Sequence, residues 1–155
     1  MTSIRVSLVD VYVIRRSDSQ LECLVLRRAA GGRCPGSWES VHGHIEPGEQ
    51  PAEAATRELL EETGLTADRL YNLSRVESFY QHRIDEVALV PVFVAIVPGG
   101  AEIRLDAEHD RFEWLDTGKA GTRFAWPRER RALADIVAVL AAGDAGAIDD
   151  VLRVC

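Results

Sequence analysis

Sulfur and aromatic rings are scarce in this chain. Its 155 residues include one methionine, three cysteines (Cys23, Cys34 and Cys155) and only 6% aromatic side chains. Three thiols so placed make neither a disulfide framework nor a zinc site. Cys23 falls in an apolar strand pattern and reads as a core residue, while Cys34 and Cys155 lack an activating neighbour. Positive charge is also short: 18 Lys and Arg stand against 25 Asp and Glu, a net charge of −7. That balance argues against nucleic acid and anionic membranes as partners. Affinity for phosphate would have to come from a metal and a few local arginines. No apolar run approaches the roughly 20 residues that span a bilayer. The opening Met1-Thr2-Ser3-Ile4-Arg5 leads into a strand pattern rather than a signal peptide. A cytoplasmic protein with one domain over residues 1–155 is expected.

What is present is concentrated between Gly43 and Leu65. A turn rich in Gly and Pro, Gly43-His44-Ile45-Glu46-Pro47-Gly48-Glu49, feeds a helical pattern from Pro51 to Thr63 that stops at Gly64. Proline suits a first helical turn and glycine a left-handed helix end. At about 100° per residue, Glu58, Glu61 and Glu62 project from one flank, and Ala52, Ala55 and Leu59 from an adjoining one suited to packing on a sheet. Like charges so close repel. A hard divalent cation relieves that repulsion, because Mg2+ binds carboxylate oxygens together with substrate phosphates. Arg57 can pair with Glu49 or Glu61 and hold a carboxylate in place. The competing explanation is a solvated acidic helix face.

Around this segment the pattern alternates. Ile4 to Ile14 reads as one strand, Arg15 to Gln20 as a polar turn, and Leu21 to Leu26 as the second strand of a hairpin. Ala29 to Ser37 is a Gly-rich loop, and a short extended piece is expected at Trp38 to Val41. Leu70 to Tyr80 and Glu86 to Val97 read as strands, Glu102 to Leu105 and Phe112 to Leu115 as shorter ones, and Gly118 to Gly121 as a loop. Pro127 to Ala142 is an amphipathic helix, and a short helix is expected within Asp144 to Cys155. The fold class is α/β, a sheet covered by helices on both faces.

Gly43, Glu49, Arg57, Glu58, Leu59, Glu61, Glu62, Gly64 and Leu65 match every fixed position of the Nudix box. The chain therefore resembles the Nudix hydrolase family. The resemblance implies an α/β/α sandwich with a mixed central sheet. It also implies hydrolysis of a nucleoside diphosphate linked to another group, by water attack on phosphorus. It makes Glu58 and Glu62 metal ligands, joined by Glu61 in some arrangements and by the Gly43 carbonyl. Mg2+ is the implied cofactor, with Mn2+ as a substitute. Glu49 and Arg57 would fix the loop and helix. In several relatives a glutamate outside the box completes the site as base or extra ligand. Here Glu108 is the best match, with Asp106, Asp110, Glu113, Asp85 and Glu86 as rivals.

Upstream, one of Arg27 and Arg28 is expected to bind substrate phosphate, since arginine forms charge-assisted forks with phosphate oxygens. Trp38 is a candidate for stacking on a base, as are Phe79, Tyr80, Phe124 and Trp126. His42 and His44 flank Gly43, so only one need face the site; His82 and His109 read as loop residues. The run Trp38-Glu39-Ser40-Val41-His42-Gly43, and the later Glu108-His109 and Trp114-Leu115-Asp116, look like the dihydroneopterin triphosphate and dATP pyrophosphohydrolase branch. Cleavage of a nucleoside or pterin triphosphate to monophosphate and pyrophosphate is the expectation. Hydrolysis of an oxidised dNTP, a dinucleoside polyphosphate or an ADP-sugar stays open, as does a non-catalytic nucleotide sensor. The expected partner is a small-molecule nucleotide, and dimerisation among relatives makes a homodimer a candidate.

Overall fold

Strict alternation along one buried strand divides this molecule into two cores. Val9, Val11 and Val13 belong to one apolar cluster, and Tyr12 and Ile14 to another. Successive side chains on a strand point to opposite faces, so a strand covered on both sides reads as a continuous apolar run.

The computed structural model describes residues 1–155. In chain order it forms β1 (Ser3–Val6), β2 (Leu8–Ser17), β3 (Gln20–Arg28), β4 (Trp38–Glu39), β5 (Val41–His44) and α1 (Pro51–Thr63). There follow β6 (Arg69–Gln81), β7 (Glu86–Ile96), β8 (His109–Asp116), α2 (Thr117–Arg123), α3 (Pro127–Leu140) and α4 (Asp149–Leu152), the last preceded by a 3-10 turn at Gly146–Ile148. All eight strands join one sheet. β7 runs parallel to β1 and β2 and antiparallel to β6. β2 is antiparallel to β3 and β5, and β3 is antiparallel to β4 and β8. The sheet is mixed, as expected.

One face carries α1, whose Ala54, Ala55 and Leu59 pack with Val9, Leu24, Val41 and Phe93. The other carries α2 and α3, whose Ala120, Leu133, Ile136 and Leu140 pack with Tyr12, Val25, Val92 and Val94. Burying each such aliphatic side chain contributes about 1.5–3 kcal/mol. No helix is long and apolar enough to cross a membrane.

Four local expectations need correction. The first strand is two. Both β1 and β2 pair with β7, but the register slips by one residue between Val6↔Leu89 and Asp10↔Val92, breaking the chain at Ser7. Glu102 to Leu105 forms no strand. Its Ile103 and Leu105 pack against the α1-side core while the Arg104 N–H donates to the Thr63 carbonyl at 2.8 Å. Gly118 to Gly121 lies within helix α2, which the Asp116 side chain caps by accepting from the Lys119 N–H at 2.9 Å. That cap, with the burial of Ala120, offsets two glycines. Phe124 is buried, edge-on to Tyr12 at 6.0 Å between ring centroids, and so is core rather than a base-stacking surface.

Candidate active site

The helix that bears the acids is held at both ends by local chemistry. Pro51 opens α1, and Glu53 accepts the Gln50 N–H at 2.8 Å. At its end Gly64 has φ 72° and donates its N–H to the Leu60 carbonyl at 2.8 Å. The apolar flank faces the sheet, and 3.6-residue periodicity then sets Glu58 and Glu62 at the border of that flank. They are 8% and 2% exposed, while Glu61 is exposed.

Arg57 ties this border to the preceding turn. Its guanidinium donates to both Glu49 oxygens at 2.8 and 2.9 Å and to the His44 carbonyl at 2.8 Å. It also donates to one oxygen of Glu58 at 2.8 Å and one of Glu61 at 3.2 Å. Both sequence-expected pairings of Arg57 therefore occur at once. The Arg57 hydrogen bonds, with one from the Glu46 N–H, hold the Glu49 carboxyl down at about 2.

Across from the helix, β5 brings its backbone against Glu58. A β-carbon added at Gly43 would overlap the Glu58 carboxyl group. Glycine is required there for the close approach of strand and acid. Burial raises the Glu58 carboxyl, Arg57 opposes that rise, and the charges of Glu61 and Glu108 add to it. Glu62 lies well above its usual range, first through burial and then through the charges of Glu58, Glu39, Glu108 and Asp106. Its Oε2 is buried without a hydrogen-bond partner. Burying a neutral polar group without a partner costs roughly 2–7 kcal/mol, and an unpaired carboxylate far more, which is why its pKa rises. No three His, Cys, Asp or Glu side chains are gathered tightly enough to enclose a metal as they stand. Donor chemistry, excess negative charge and the orphaned Glu62 oxygen nevertheless fit a hard divalent cation. Glu58, Glu61, Glu62, Glu108 and the Gly43 carbonyl would hold it.

Glu108 is exposed and follows a segment that packs against α1, through Ile103, Leu105 and the bond from the Arg104 N–H to the Thr63 carbonyl. The upstream candidates separate across the sheet. Arg28 turns to the α1 side, where its Nη1 donates to Glu39 at 2.8 Å. Arg27 pairs with Asp110 at 2.8 Å and stands opposite Trp38 in the β3–β4 ladder. Trp38 packs on the α3-side core beneath the Arg123 guanidinium, 4.8 Å from the ring centroid. His42 also faces the α3 side, its Nδ1 2.6 Å from Asp10 Oδ1. Arg27, Trp38 and His42 are thus not brought to the glutamates.

Several buried polar residues escaped notice in the sequence. Asp10 is fully buried between His42 and Arg128, whose Nε donates to it at 2.9 Å. Burial raises the Asp10 carboxyl, but these two partners more than offset it and leave it below its usual value. Glu129 accepts the Ser40 N–H at 2.6 Å, and burial pushes its carboxyl up to about 7. Glu39 and His109 share a bond of 3.0 Å, so His109 is a buried strand residue and not a loop one. A lone acid inside an apolar run, as at Asp10, is the one sequence signal that pointed to such a network.

Residues 6–136 match the NUDIX domain. The chain belongs to the Nudix family. It is 35% identical over 119 residues to an octanoyltransferase of Myxococcus xanthus, a stretch covering 72% of this chain and 31% of that protein. It is 32% identical over 108 residues to the asymmetrical bis(5'-nucleosyl)-tetraphosphatase of Mus musculus, covering 68% of this chain and 71% of that one. The structure of the E. coli dihydroneopterin triphosphate pyrophosphohydrolase superimposes with a TM-score of 0.72 at 23% identity, covering 89% of this chain and 99% of that one. That likeness shows the fold.

Proposed function

We propose that this protein is a divalent-metal-dependent Nudix hydrolase that cleaves a nucleoside or pterin triphosphate to the monophosphate and pyrophosphate. The buried, unpartnered Oε2 of Glu62 beside the Gly43–Glu58 contact carries this assignment. A structural acidic face would leave its carboxylates in water, whereas here two are buried against the sheet. Bound Mg2+ would neutralise phosphate charge and lower the pKa of a bound water. Glu58, Glu61 and Glu62 would hold that ion, and Arg57 holds the helix and turn in register. Glu108 accepts the proton of the attacking water. The water oxygen forms a P–O bond as the bond from that phosphorus to the bridging oxygen breaks, and the leaving phosphate group departs with the bridging oxygen. Arg28, on the same side of the sheet, is the arginine for substrate phosphate.

The test is a substrate panel with Mg2+ and with Mn2+. It comprises NTPs, dNTPs, dihydroneopterin triphosphate, 8-oxo-dGTP, ADP-ribose and diadenosine polyphosphates, with Glu62→Gln as control. Monophosphate and pyrophosphate from a triphosphate, lost in the control, is the expected result. Equal turnover by Glu62→Gln and the parent would remove the metal assignment. Turnover confined to a dinucleoside polyphosphate or ADP-ribose would change the substrate class and leave the site intact.

A further inference from the structure

Beside the glutamate cluster lies a buried pair, Glu39 and His109, that the proposed chemistry does not use, with half-buried Arg28 as the third member of the group. Glu39 Oε1 accepts from Arg28 Nη1 at 2.8 Å and pairs with His109 Nε2 at 3.0 Å. Glu39 is 6% and His109 3% exposed. The other ring nitrogen, Nδ1, lies 3.4 Å from Asp106 Oδ1 but without hydrogen-bond geometry. Buried ion pairs are weak stabilisers, because desolvation offsets most of their attraction. Three packed apolar residues would hold β3, β4 and β8 together at least as well.

The trio sits where the sheet is irregular. β8 pairs Arg111 with Arg27 and His109 with Arg28, so Asp110 is an extra residue in the ladder. Such bulges re-aim side chains and recur beside active sites. Here the bulge sends Asp110 to Arg27 and turns the His109 ring inward to Glu39. Glu108, the next residue back, is exposed. Its backbone is held twice: its N–H donates to Asp106 Oδ1 at 3.1 Å, and its carbonyl accepts the Ala29 N–H at 2.9 Å. The chain on either side of Glu108 is thereby anchored. The segment leading to it lies against α1, where Ile103 and Leu105 pack and the Arg104 N–H donates to the Thr63 carbonyl at 2.8 Å.

We infer that the buried Glu39–His109 bond, seated by the Asp110 bulge and braced by Arg28, is a positioning device that aims Glu108 at the metal and attacking water. Glu39 and His109 act through Glu108 and touch neither substrate nor metal. This rests on the hydrolase reading above. It adds that the base or extra ligand on an exposed loop is held from beneath, by the adjoining histidine that begins β8.

A double-mutant cycle tests it. His109→Ala and Glu108→Gln are made singly and together, with His109→Gln as the conservative variant, whose side-chain N–H can still reach Glu39. Each is assayed for kcat, KM, thermal midpoint and Mn2+ affinity without substrate, read by water-proton relaxation. His109→Ala is expected to lower kcat about 10–100-fold, as loss of a metal-site supporting residue does. KM should change less than about threefold, Mn2+ binding should weaken, and His109→Gln should restore most of both. In the Glu108→Gln background the same substitution should change kcat and Mn2+ affinity by less than about twofold. Equal losses in both backgrounds would overturn the positioning role. So would a fall in thermal midpoint with kcat and Mn2+ affinity intact, which marks a purely structural bond. Failure of the hydrolase reading looks different, since the parent would then turn over nothing. The Mn2+ cycle still reads the geometry in that case, and an unchanged Mn2+ affinity in His109→Ala would end the proposal.

Discussion

The two faces of the sheet at β5 handle buried acid in opposite ways. On the α3 face, Asp10 is enclosed by His42 and Arg128, and its carboxyl ends below its usual range despite complete burial. On the α1 face, one residue along at Gly43, Glu58 and Glu62 are buried among other acids and their carboxyls are raised. Arg57 neutralises part of that charge, and Glu62 Oε2 is left unpartnered. The first arrangement is complete within the chain. The second leaves acid unpaired, which the proposed reading completes with a divalent cation. Glu129 on the α3 face also keeps a raised carboxyl and an unpartnered oxygen, but Arg128 and the Ser40 N–H act on it, whereas Glu62 is surrounded by further acids. That gathering of acids is what points to a working site.

Four substitutions break or sharpen this contrast. Glu62→Gln should have the largest effect, lowering kcat on the order of 100-fold or more while the thermal midpoint holds or rises. Its buried carboxyl is costly in the metal-free protein, so losing the charge should not unfold it. A steep drop in midpoint in a differential scanning run would contradict the contrast. Asp10→Ala should do the reverse. It strands Arg128 and His42, and removing one partner of a buried pair costs about 3–5 kcal/mol. Urea unfolding should show that loss, and little change would mean the network is not what holds α3 to β2.

Glu129 tests the α3 face by pH. Its carboxyl is raised from 4.5 to about 7, chiefly by burial, so between those values the folded state binds more protons than the unfolded state. Stability from this group is fully present below about 4.5 and is lost as pH rises to 7. Glu129→Gln keeps an acceptor for the Ser40 N–H and should remove the decline. Parent and variant should match at low pH and differ by on the order of 3 kcal/mol above neutrality. Parallel pH–stability curves would refute the burial effect. The smallest change should come from Gly64→Ala, remote from the Asp10 network. Placing a β-carbon at φ 72° beside Arg104 should cost about 1–2 kcal/mol of stability and leave kcat unaltered. Lost activity there would mean that the helix end itself tunes the acid cluster.

Much of α1 was legible from residue spacing. Pro51 through Thr63 is the helix expected, and Gly64 ends it left-handed. The strands at β6 and β7 and the α3 helix were equally plain, because apolar periodicity is a local property. The β2–β3 hairpin was too, but its turn is only Asp18 and Ser19, because the polar Arg15 to Ser17 and Gln20, expected to turn, pair in the ladder. The break at Ser7 was not legible, since it depends on where β7 pairs with β1 and β2. Helix α2 hid behind two glycines, and its Asp116 cap was the signal to weigh against them. Within the site, Glu108 could be nominated from the Glu-His run preceding Trp-Leu-Asp. Nothing local set it apart from Asp106 or Asp110. The arginines next to each other, Arg27 and Arg28, were interchangeable in sequence and are divided by strand alternation onto opposite faces.

The sequence alone determined that a short helix would carry Glu58, Glu61 and Glu62 on one flank after a glycine-rich turn. Backbone geometry sets that spacing within a single element. Only the tertiary structure decided which acids stay unpaired. Asp10 meets Arg128 across 118 residues, and Glu39 meets His109 across 70. Those meetings depend on sheet register and on one bulge in β8. They decide whether a buried carboxylate is neutralised by the chain or left to bind a cation.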